Sequence, residues 1–512
     1  MAILIAVLLL PLQIYREGDW VTYSEFRRIS SISYDLRYVY FGSSGGIARY
    51  DKLFEQWDEP ISAPENGTVG ETVVCGYDRY EDCLWIVTAL GLVRYNPSLL
   101  TWERFPDVGE WAGVHSIGIG EEAVWFVSEG YALRLRREDG EWQHTQPPPS
   151  GIQWWGRKSL AALDSSRYAF LSPYYIRDSN LVRYEITAIA RDDGDLWVGT
   201  GGYGVFRYDP LTFQGEHLLY GLAKRRVDCV VNDGDSLWIG GMEDESNGIT
   251  LWDRRNGKFA YFETPYTRGL RSQRVHDISA AGDLIAFGTD EGVSLYDKKE
   301  REWRTYTIFD GLPSDEVISV ERDSSYLFCG TDLGLSILHT DTREVAFAPQ
   351  LSNLRINDIL GTKDTTLFAT DHGVFFIDKR ENAWKQLADP EQSLAFGTTR
   401  LALDGSGFWF GTYDGVVHFT RRTGEWERWS VGGHYYIGHV VALAADSVNV
   451  WVGTRWGVLK FSKRDRRWRA FSTEDGLPDS LVFTILPEGD YVWLGGSRGV
   501  TRFYWNSPLA RD

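Results

Sequence analysis

The sequence has little methionine, little cysteine and too few basic residues to balance its acids. It contains 2 Met and 4 Cys in 512 residues, and 72 Asp and Glu against 53 Lys and Arg give a formal net charge of −19. Nucleic-acid binding depends on clustered cations that neutralise phosphates, so this charge balance argues against a nucleic-acid partner. The cysteines lack zinc-ligand spacing and the histidines form no metal-binding motif, so we expect no metal and no other cofactor.

Long apolar runs are also scarce. The longest is Ala2 to Leu12, about half of the roughly twenty residues that a helix needs to cross a bilayer. Such a run is typical of the hydrophobic part of an export signal, although no Lys or Arg precedes it, and a misplaced start codon is the alternative. We therefore expect residues 1–14 to be an export signal, the mature chain to have no transmembrane span, and the protein to be periplasmic or extracellular after bacterial-type export.

The four cysteines leave their redox state open. Cys75 and Cys83 flank a short polar segment between two apolar runs, so either a disulfide formed after export or two separately buried thiols is compatible with the pattern. Cys229 and Cys329 each lie within an apolar strand pattern, which is typical of small core residues.

Glycine and tryptophan are abundant, with 53 Gly and 22 Trp, and they recur in a repeat. The clearest copy, Tyr184 to Pro210, reads YEITAIARDDGDLWVGTGGYGVFRYDP, which predicts three short strands joined by two tight turns. Copies recur at a mean interval of about 41 residues, the spacing of a four-stranded propeller blade. The positions equivalent to Trp197 are Tyr40, Trp85, Trp125, Trp238, Ala286, Phe328, Leu367, Trp409, Trp451 and Trp493, with a worn copy near Ala169.

A fourth strand is predicted at a fixed distance after each copy. In seven copies another tryptophan stands seventeen residues after the first position, namely Trp57, Trp102, Trp142, Trp303, Trp384, Trp426 and Trp468. This constant offset indicates one rigid sheet per repeat, with the outer ring packed between neighbouring sheets. Helices are excluded because no stretch sustains a 3.6-residue apolar period.

The two ends of the chain predict how the sheets close. The segment Trp20-Val-Thr-Tyr23 is an outer strand with no repeat before it, and the last copy has no outer strand of its own. Pairing these two pieces removes an exposed edge, so we expect the N-terminal strand to complete the last blade. The fold predicted is an all-β β-propeller of about twelve four-stranded blades.

Twelve blades exceed the four to eight usual for one ring, which favours two tandem propellers. We expect a first propeller over residues 15–225, from which residues 18–24 lend the closing strand to the last blade, and a second over 226–512. The boundary is uncertain within 219–269, and splits of five plus seven or six plus six blades both stay open.

The repeat resembles the two-component regulator propeller repeat, whose pattern is close to V-x-x-I-x-x-D-x-x-G-x-[IL]-W-[IV]-G-T-x-x-G-[ILV]-x-x-[YF]-[DN]. The connecting phrases Asp310-Gly-Leu-Pro313 and Asp475-Gly-Leu-Pro478 look like that family as well. In the family such propellers usually form the extracytoplasmic sensing half of hybrid histidine kinases and often recognise polysaccharide fragments. Because no kinase follows the repeats here, the resemblance implies a stand-alone propeller that acts as a binding or assembly component.

Ligand-binding residues are expected on one face of the propeller, where the turns between middle strands and the connections between blades open around the channel mouth. Loops predicted on that face carry aromatic residues beside Asp, Arg and His, and aromatic rings stack on the apolar faces of sugars. The binding candidates are Trp111, Trp154, Trp155, Tyr203, Tyr413, Asp414, His434, Tyr435, Tyr436, Arg455 and Trp456. A basic patch, Arg268, Arg271 and Arg274, is a solvated loop or a site for a carboxylate.

Sequence matches to catalytic motifs fall in turns of the repeat, where they lack the structural context that the motif needs. Gly42 to Gly46 satisfies G-x-S-x-G, but it occupies a turn between strands and no helix follows, so no nucleophile elbow forms. The leading hypothesis is therefore an exported, non-enzymatic binding or scaffold module that recognises a glycan or a protein partner. The alternatives are a propeller lyase or hydrolase with a metal at the channel mouth, and a sensor subunit of a separately encoded two-component kinase.

Overall fold

The computed structural model describes residues 18–61, 70–88, 90–105, 111–145, 151–157, 174–192, 194–243, 248–395, 397–430 and 437–508. The predicted export signal and the worn repeat copy near Ala169 lie outside these described residues. In the described part of the chain, no helix is long and apolar enough to cross a membrane.

The described strands form eleven antiparallel sheets, which we number in chain order. The first four sheets contain the following strands. Sheet 1 has β2 (Ile29–Tyr34), β3 (Tyr38–Ser43), β4 (Gly46–Asp51) and β5 (Gln56–Ile61). Sheet 2 has β6 (Thr72–Asp78), β7 (Cys83–Thr88), β8 (Gly91–Asn96) and β9 (Thr101–Arg104). Sheet 3 has β10 (Ser116–Ile119), β11 (Ala123–Val127), β12 (Ala132–Arg136), β13 (Trp142–Thr145) and β14 (Gln153–Gly156). Sheet 4 has β15 (Tyr175–Arg177), β16 (Arg183–Arg191), β17 (Leu196–Thr200), β18 (Val205–Tyr208) and β19 (Gly215–Leu218).

Seven further sheets follow along the chain. Sheet 5 has β20 (Cys229–Asp233), β21 (Ser236–Gly240), β22 (Ile249–Asp253) and β23 (Lys258–Phe262). Sheet 6 has β24 (Val275–Ala281), β25 (Leu284–Thr289), β26 (Gly292–Asp297) and β27 (Glu302–Tyr306). Sheet 7 has β28 (Val317–Asp323), β29 (Tyr326–Thr331), β30 (Leu335–His339) and β31 (Val345–Ala348). Sheet 8 has β32 (Ile356–Gly361), β33 (Thr365–Thr370), β34 (Gly373–Asp378) and β35 (Ala383–Leu387).

The last three sheets complete the order, and β1 (Trp20–Tyr23) joins the final one. Sheet 9 has β36 (Thr398–Leu403), β37 (Gly407–Thr412), β38 (Gly415–Thr420) and β39 (Trp426–Ser430). Sheet 10 has β40 (Ala442–Ala445), β41 (Asn449–Thr454), β42 (Gly457–Ser462) and β43 (Arg467–Phe471). Sheet 11 has β44 (Val482–Glu488), β45 (Tyr491–Gly496), β46 (Gly499–Tyr504) and β1.

The repeat positions predict the sheets correctly. All eleven described positions equivalent to Trp197, including that residue, are buried and lie in the strand that follows the inner strand of a sheet. The tryptophans seventeen residues later lie in the outermost strands. Trp303, for example, packs across the sheet boundary against Trp238 of sheet 5, with ring centroids 6.4 Å apart. The two tryptophan series therefore fill the space between adjacent sheets.

The Gly-Thr pair that ends the second strand has a separate role for each residue. A Cβ atom on Gly199 would lie 2.5 Å from the side chain of Ile29 in sheet 1, and one on Gly411 would lie 2.5 Å from Val440. Glycine is thus required for the close approach of the next inner strand. The threonine hydroxyl closes the following turn, as where Thr412 donates to the Gly415 carbonyl at 3.0 Å.

The two Asp-Gly-Leu-Pro connections are single 3₁₀ turns with complete capping boxes. Thr307 accepts from the Phe309 N–H at 3.3 Å, and Asp310 accepts from the Thr307 N–H at 2.9 Å. Gly311 then adopts φ 110°, a left-handed conformation that favours glycine. The second connection repeats this arrangement from Ser472 to Gly476, so the phrase encodes a fixed link between an outer strand and the next inner strand.

Sheets 5 to 11 form a closed ring. The inner strands of successive sheets contact one another from β20 to β44, and β44 contacts β20 again. The predicted closure by the N-terminal strand is confirmed, because β1 pairs antiparallel with β46, from Trp20 opposite Phe503 to Tyr23 opposite Val500. The rings of Trp20 and Phe503 stack with centroids 3.5 Å apart and an interplanar angle of 7°.

Sheets 1 to 4 differ from the simple repeat. Their inner strands contact in the order sheet 4, sheet 1, sheet 2 and sheet 3, and sheets 3 and 4 each have five strands where four were expected. The extra strand in sheet 3 is β14, which pairs with the inner edge of β10 and also contacts β6 and β2. Pairing satisfies backbone groups of an inner strand that would otherwise be an edge.

All four cysteines are free and buried. Cys83 lies opposite Asp78 in the β6–β7 pair, whereas Cys75 lies opposite Ile86. The two thiols therefore lie at different levels of the hairpin. Of the two alternatives for Cys75 and Cys83, a disulfide or separate buried thiols, the structure has separate thiols.

Truncation of Trp20 tests the closure. Trp20→Ala removes a buried ring that stacks on Phe503, and we expect a loss of about 3–5 kcal/mol of unfolding free energy in the ring. The measurement is the urea midpoint followed by tryptophan fluorescence and circular dichroism. Trp456→Ala, at a ring that is 74% exposed, is the matched control and should change stability by less than about 0.5 kcal/mol. Equal midpoints for the two variants would contradict closure by β1.

Candidate functional site

The channel of the seven-sheet ring is lined by middle residues of the V-x-x-I segments in the inner strands. The inner strands β24, β28, β32, β36 and β44 each contain a register shift at this point, as expected of a β-bulge in which two residues oppose one. The result is a cavity of about 200 Å³. Its polar lining consists of Asp228, His276, Asp277, Asn357, Asp358, Arg400 and Thr484.

Two channel carboxylates hold the next sheet in place. Asp277 accepts from the Val320 N–H at 2.8 Å, and Asp358 accepts from the Leu401 N–H at 2.7 Å. In each case the donor belongs to the inner strand of the following sheet, so these aspartates satisfy backbone groups that face the channel.

Burial dominates the protonation of these acids. It raises the pKa of Asp358 to about 7 despite the opposing charge of Arg400, and it also raises the pKa of Asp277. Glu321, which accepts from the Gly361 N–H at 3.1 Å, has its pKa raised to about 7 for the same reason. The channel therefore carries less negative charge near neutral pH than its residue types suggest.

One histidine in the channel has an unused ring nitrogen. Burial lowers the pKa of His276, so the ring is neutral at pH 7, and its buried Nε2 has no hydrogen-bond partner among the described residues. The Arg400 guanidinium donates to the Thr399 carbonyl at 2.8 Å. Together they leave a neutral ring nitrogen and a cation in the channel wall.

Two neighbouring turns at the channel mouth bring four of the predicted binding residues together. Tyr413 and Asp414 lie in the β37–β38 turn, and Arg455 and Trp456 lie in the β41–β42 turn. The Tyr413 ring is 51% exposed and the Trp456 ring 74% exposed. We call this group the mouth cluster.

His439 links the mouth cluster to the channel. Its ring lies 4.8 Å from that of Tyr413 between centroids. Burial, followed by the charges of Arg455 and Arg400, lowers the pKa of His439. Asp414 is paired with Arg428 at 2.6 Å, so Arg455 supplies the charge of the cluster next to open aromatic rings. Sequence reasoning missed His439.

Trp111 and Trp155 are not exposed on a face as predicted. Trp111 is 3% and Trp155 2% exposed, and both belong to the core between sheets 2 and 3. Trp155 lies in strand β14 and its indole N–H donates to the Tyr77 carbonyl at 2.9 Å. Trp111 begins a 3₁₀ turn, Trp111–Gly113, so the two rings enter this core from different segments.

The remaining predicted residues are spread over different places. Trp154 is half-buried in β14 opposite Gly118. Tyr203, in the β17–β18 turn, stacks on Tyr184 with centroids 4.7 Å apart. His434, Tyr435 and Tyr436 lie outside the described residues.

The basic patch predicted at Arg268, Arg271 and Arg274 is not one site. Arg274 is paired with Asp290 at 3.3 Å, Arg271 is exposed, and Arg268 lines a separate cleft at the outer edge of sheet 6.

One group in the described residues has metal-ligand types close together, Asp78, Glu81 and Cys83. Asp78 already accepts from the Trp85 indole at 3.0 Å and pairs with Arg137 at 2.7 Å. Glu81 pairs with the same arginine at 2.8 Å. These contacts explain the acids structurally without a metal.

Comparison with known proteins gives a fold likeness and no family. No protein-family model and no curated protein matches the chain. Among solved structures, the chain is similar to the extracellular domain of a putative one-component system of B. thetaiotaomicron, with 14% identity, 96% of this chain and 82% of that chain covered, and a TM-score of 0.49.

Two other solved structures are similar, one over most of the chain and one over about half of it. PorZ, a surface component of the type-IX secretion system of Porphyromonas gingivalis, has 12% identity, 93% and 74% coverage, and a TM-score of 0.48. Virginiamycin B lyase from Staphylococcus aureus has 13% identity, 54% and 94% coverage, and a TM-score of 0.43. At these identities and scores the likenesses carry no argument about function, and the propeller architecture rests on the strand pairing itself.

The channel acids could have been found from the sequence. The two middle residues of the V-x-x-I segment are polar in VHDI (275–278) and INDI (356–359) but apolar in VVAL (440–443). This difference indicates which sheets place charged side chains in the channel. The signal requires knowing that the bulge lies at this pair, which alternation alone does not predict.

The raised pKa of Asp358 predicts a pH dependence of stability. Because the folded pKa lies above that of an unfolded aspartate, the folded state binds the proton more tightly, and this contribution is lost as the pH rises through about 7. Asp358→Asn removes it, so the variant should gain at least about 1 kcal/mol relative to the unsubstituted protein between pH 5 and pH 8. Denaturant unfolding at both pH values measures this, with the exposed Glu344→Gln as control. A constant difference between Asp358→Asn and the unsubstituted protein would contradict the raised pKa.

Proposed function

We propose that this protein is an exported, non-enzymatic binding or scaffold module that recognises a glycan or a protein partner through the mouth cluster. The proposal includes the division of the chain into a first propeller over 15–225 and a second over 226–512. It also includes export to the periplasm or the cell exterior, which the apolar run at the start of the sequence supports.

The observation that carries the proposal is the exposure of Tyr413 and Trp456 on adjacent turns. Both rings are held at the opening of the channel by rigid hairpins, and Arg455 lies next to Trp456 in the same turn. Preorganised rings lose little entropy on binding, and an adjacent guanidinium supplies directional hydrogen bonds. Open rings beside a cation suit the apolar face and the hydroxyl groups of a sugar.

The contacts of the channel acids favour binding over catalysis. A general acid or base must reach the proton that it transfers, but Asp277 and Asp358 accept backbone N–H groups from the next sheet. Their raised pKa values follow from burial. These groups therefore support the ring, and the mouth cluster supplies recognition.

Truncation of the exposed rings tests the proposal. We expect Trp456→Ala and Tyr413→Ala each to weaken binding at least about tenfold. A glycan array with the unsubstituted protein selects the ligand, and isothermal titration calorimetry compares the variants. Tyr326→Ala is the matched control, because Tyr326 is 48% exposed but lies in sheet 7 at the start of β29, at the opposite end of that strand from the β29–β30 turn.

The control and the unsubstituted protein should bind alike. If Trp456→Ala and Tyr413→Ala bind the ligand with the same affinity as the unsubstituted protein, the mouth cluster is not the binding site. Failure to bind any glycan on the array, together with no direct partner in cross-linked pull-downs, would contradict the function itself.

A further inference from the structure

A cleft at the outer edge of the ring, between sheets 6 and 7, contains an unusual set of arginines. It has a volume of about 1010 Å³, at the upper end of the range of ligand pockets. Arg268, Arg301, Arg304 and Arg343 line it, and none of them forms an ion pair with a described residue. All four are exposed side chains, so in a chain of net charge −19 this cleft presents a local group of accessible cations.

At two other sheet boundaries, the equivalent positions hold charges that neutralise one another. Between sheets 4 and 1 the corresponding residues are Glu216 in the outer strand and Glu55 in the turn of the next sheet. Arg207, on the neighbouring strand, pairs with both of them at 3.0 Å. The two acids and the central cation therefore neutralise one another across the sheet boundary.

Sheets 9 and 10 use a direct ion pair at the same two positions. Glu427 follows Trp426 in the outer strand β39, and Arg466 lies in the turn before β43. Their side chains are 2.8 Å apart. The central position is His418, opposite Glu427 in the register.

Sheets 6 and 7 have a cation at both positions. Arg304 follows Trp303 in β27 and lies opposite Leu295, so it corresponds to Glu427. Arg343 corresponds to Arg466. The two have the same backbone, with φ 64° and 54° and N–H bonds of 2.7 and 2.8 Å to the carbonyls of His339 and Ser462. With leucine at the central position, neither Arg304 nor Arg343 forms an ion pair with an acid of the described residues.

A buried tyrosine faces the same space. Tyr306 is 3% exposed and lines the cleft, yet its hydroxyl has no hydrogen-bond partner among the described residues. Arg304 lies over its ring at 4.9 Å. Burial raises the pKa of Tyr306, the charges of Arg304 and Arg343 oppose this shift, and the charge of Asp310 adds to it. The hydroxyl is therefore protonated at pH 7, next to both cations, and available as a donor.

The acids that line the cleft do not neutralise these arginines. Asp283 is paired with Lys299 at 2.5 Å. Asp297 accepts from the Lys299 and Glu300 N–H groups at 2.9 and 3.1 Å. Glu300, Glu302 and Asp341 are exposed side chains without an ion pair in the described structure.

We propose that this cleft binds an acidic polysaccharide, with Arg304 and Arg343 holding one carboxylate or sulfate group and the Tyr306 hydroxyl donating to it. Guanidinium groups match both anions bidentately. Arg268 and Arg301 serve further acidic groups along the chain, and the exposed ring of Tyr266 in the same cleft provides a surface for a sugar ring. The site lies apart from the mouth cluster and does not depend on the proposed function.

Titration calorimetry with a short oligogalacturonate, its methyl ester and dextran sulfate tests the site. We expect at least one acidic probe to bind and the methyl ester to bind at least about tenfold more weakly. Arg304→Gln/Arg343→Gln should reduce the affinity for that acidic probe at least about tenfold. Arg466→Gln/Arg469→Gln removes the same charge from sheet 10 and is the matched control, with affinity within about twofold. The preference between carboxylate and sulfate identifies the anion.

Arg304→Glu provides a variant that should remain folded. It places a glutamate opposite Arg343, as Glu427 stands opposite Arg466, so we expect an unchanged or higher unfolding midpoint together with loss of binding. The proposal is overturned if neither acidic probe binds, if Arg304→Gln/Arg343→Gln and its control bind alike, or if poly-glutamate binds more tightly than both acidic glycans, which would indicate an acidic protein partner.

Discussion

Close packing of one inner strand on the next is the constraint from which the rest of this structure follows. Where the second strand of a repeat ends in Gly-Thr, the glycine leaves room for an apolar side chain of the following sheet, as where Ile356 lies over Gly330 and Val482 over Gly453. Each sheet buries its two faces only when it has a neighbour on both sides. A row of such sheets must therefore close, and in the seven-sheet ring it closes with a strand from the other end of the chain.

The same packing explains why acids stand in the channel. Inner strands brought this close bulge, and the bulge leaves backbone N–H groups of one sheet facing the side chains of the previous one. Asp277, Ser279, Glu321 and Asp358 each accept one of these bonds from the next sheet. An unpaired buried N–H costs more than the burial of a protonated carboxyl group. Raised pKa values here are thus a by-product of ring assembly, and they carry no signature of catalysis.

Most of the fold could be predicted from the sequence because glycine turns and tryptophan spacing act locally. The anchors from Tyr40 to Trp493, the outer tryptophans and the N-terminal closing strand all stand where the repeat placed them. The candidate site was predicted less well. Tyr413 and Trp456 lie open at the mouth, but Trp111 and Trp155 are core residues. Trp155 belongs to an additional strand that covers an inner edge left free by the repeat, and Trp111 begins a 3₁₀ turn. Long-range pairing of this kind leaves no mark in a local pattern, and neither does the contact between Tyr413 and His439.

A repeat protein supplies its own reference for separating structural residues from functional ones. Positions that face the next sheet recur with the same backbone and a side chain that satisfies a neighbour, and Glu427 with Arg466 is one solution of that packing problem. Where the backbone is the same but the side chains cannot form such an ion pair, a charged side chain must be neutralised by a group from outside the chain or be exposed to water. Arg304 and Arg343 depart in this way beside Tyr306, whose hydroxyl has no hydrogen-bond partner among the described residues. An anionic group bound there would use the two guanidinium groups and the phenol hydroxyl as donors at once.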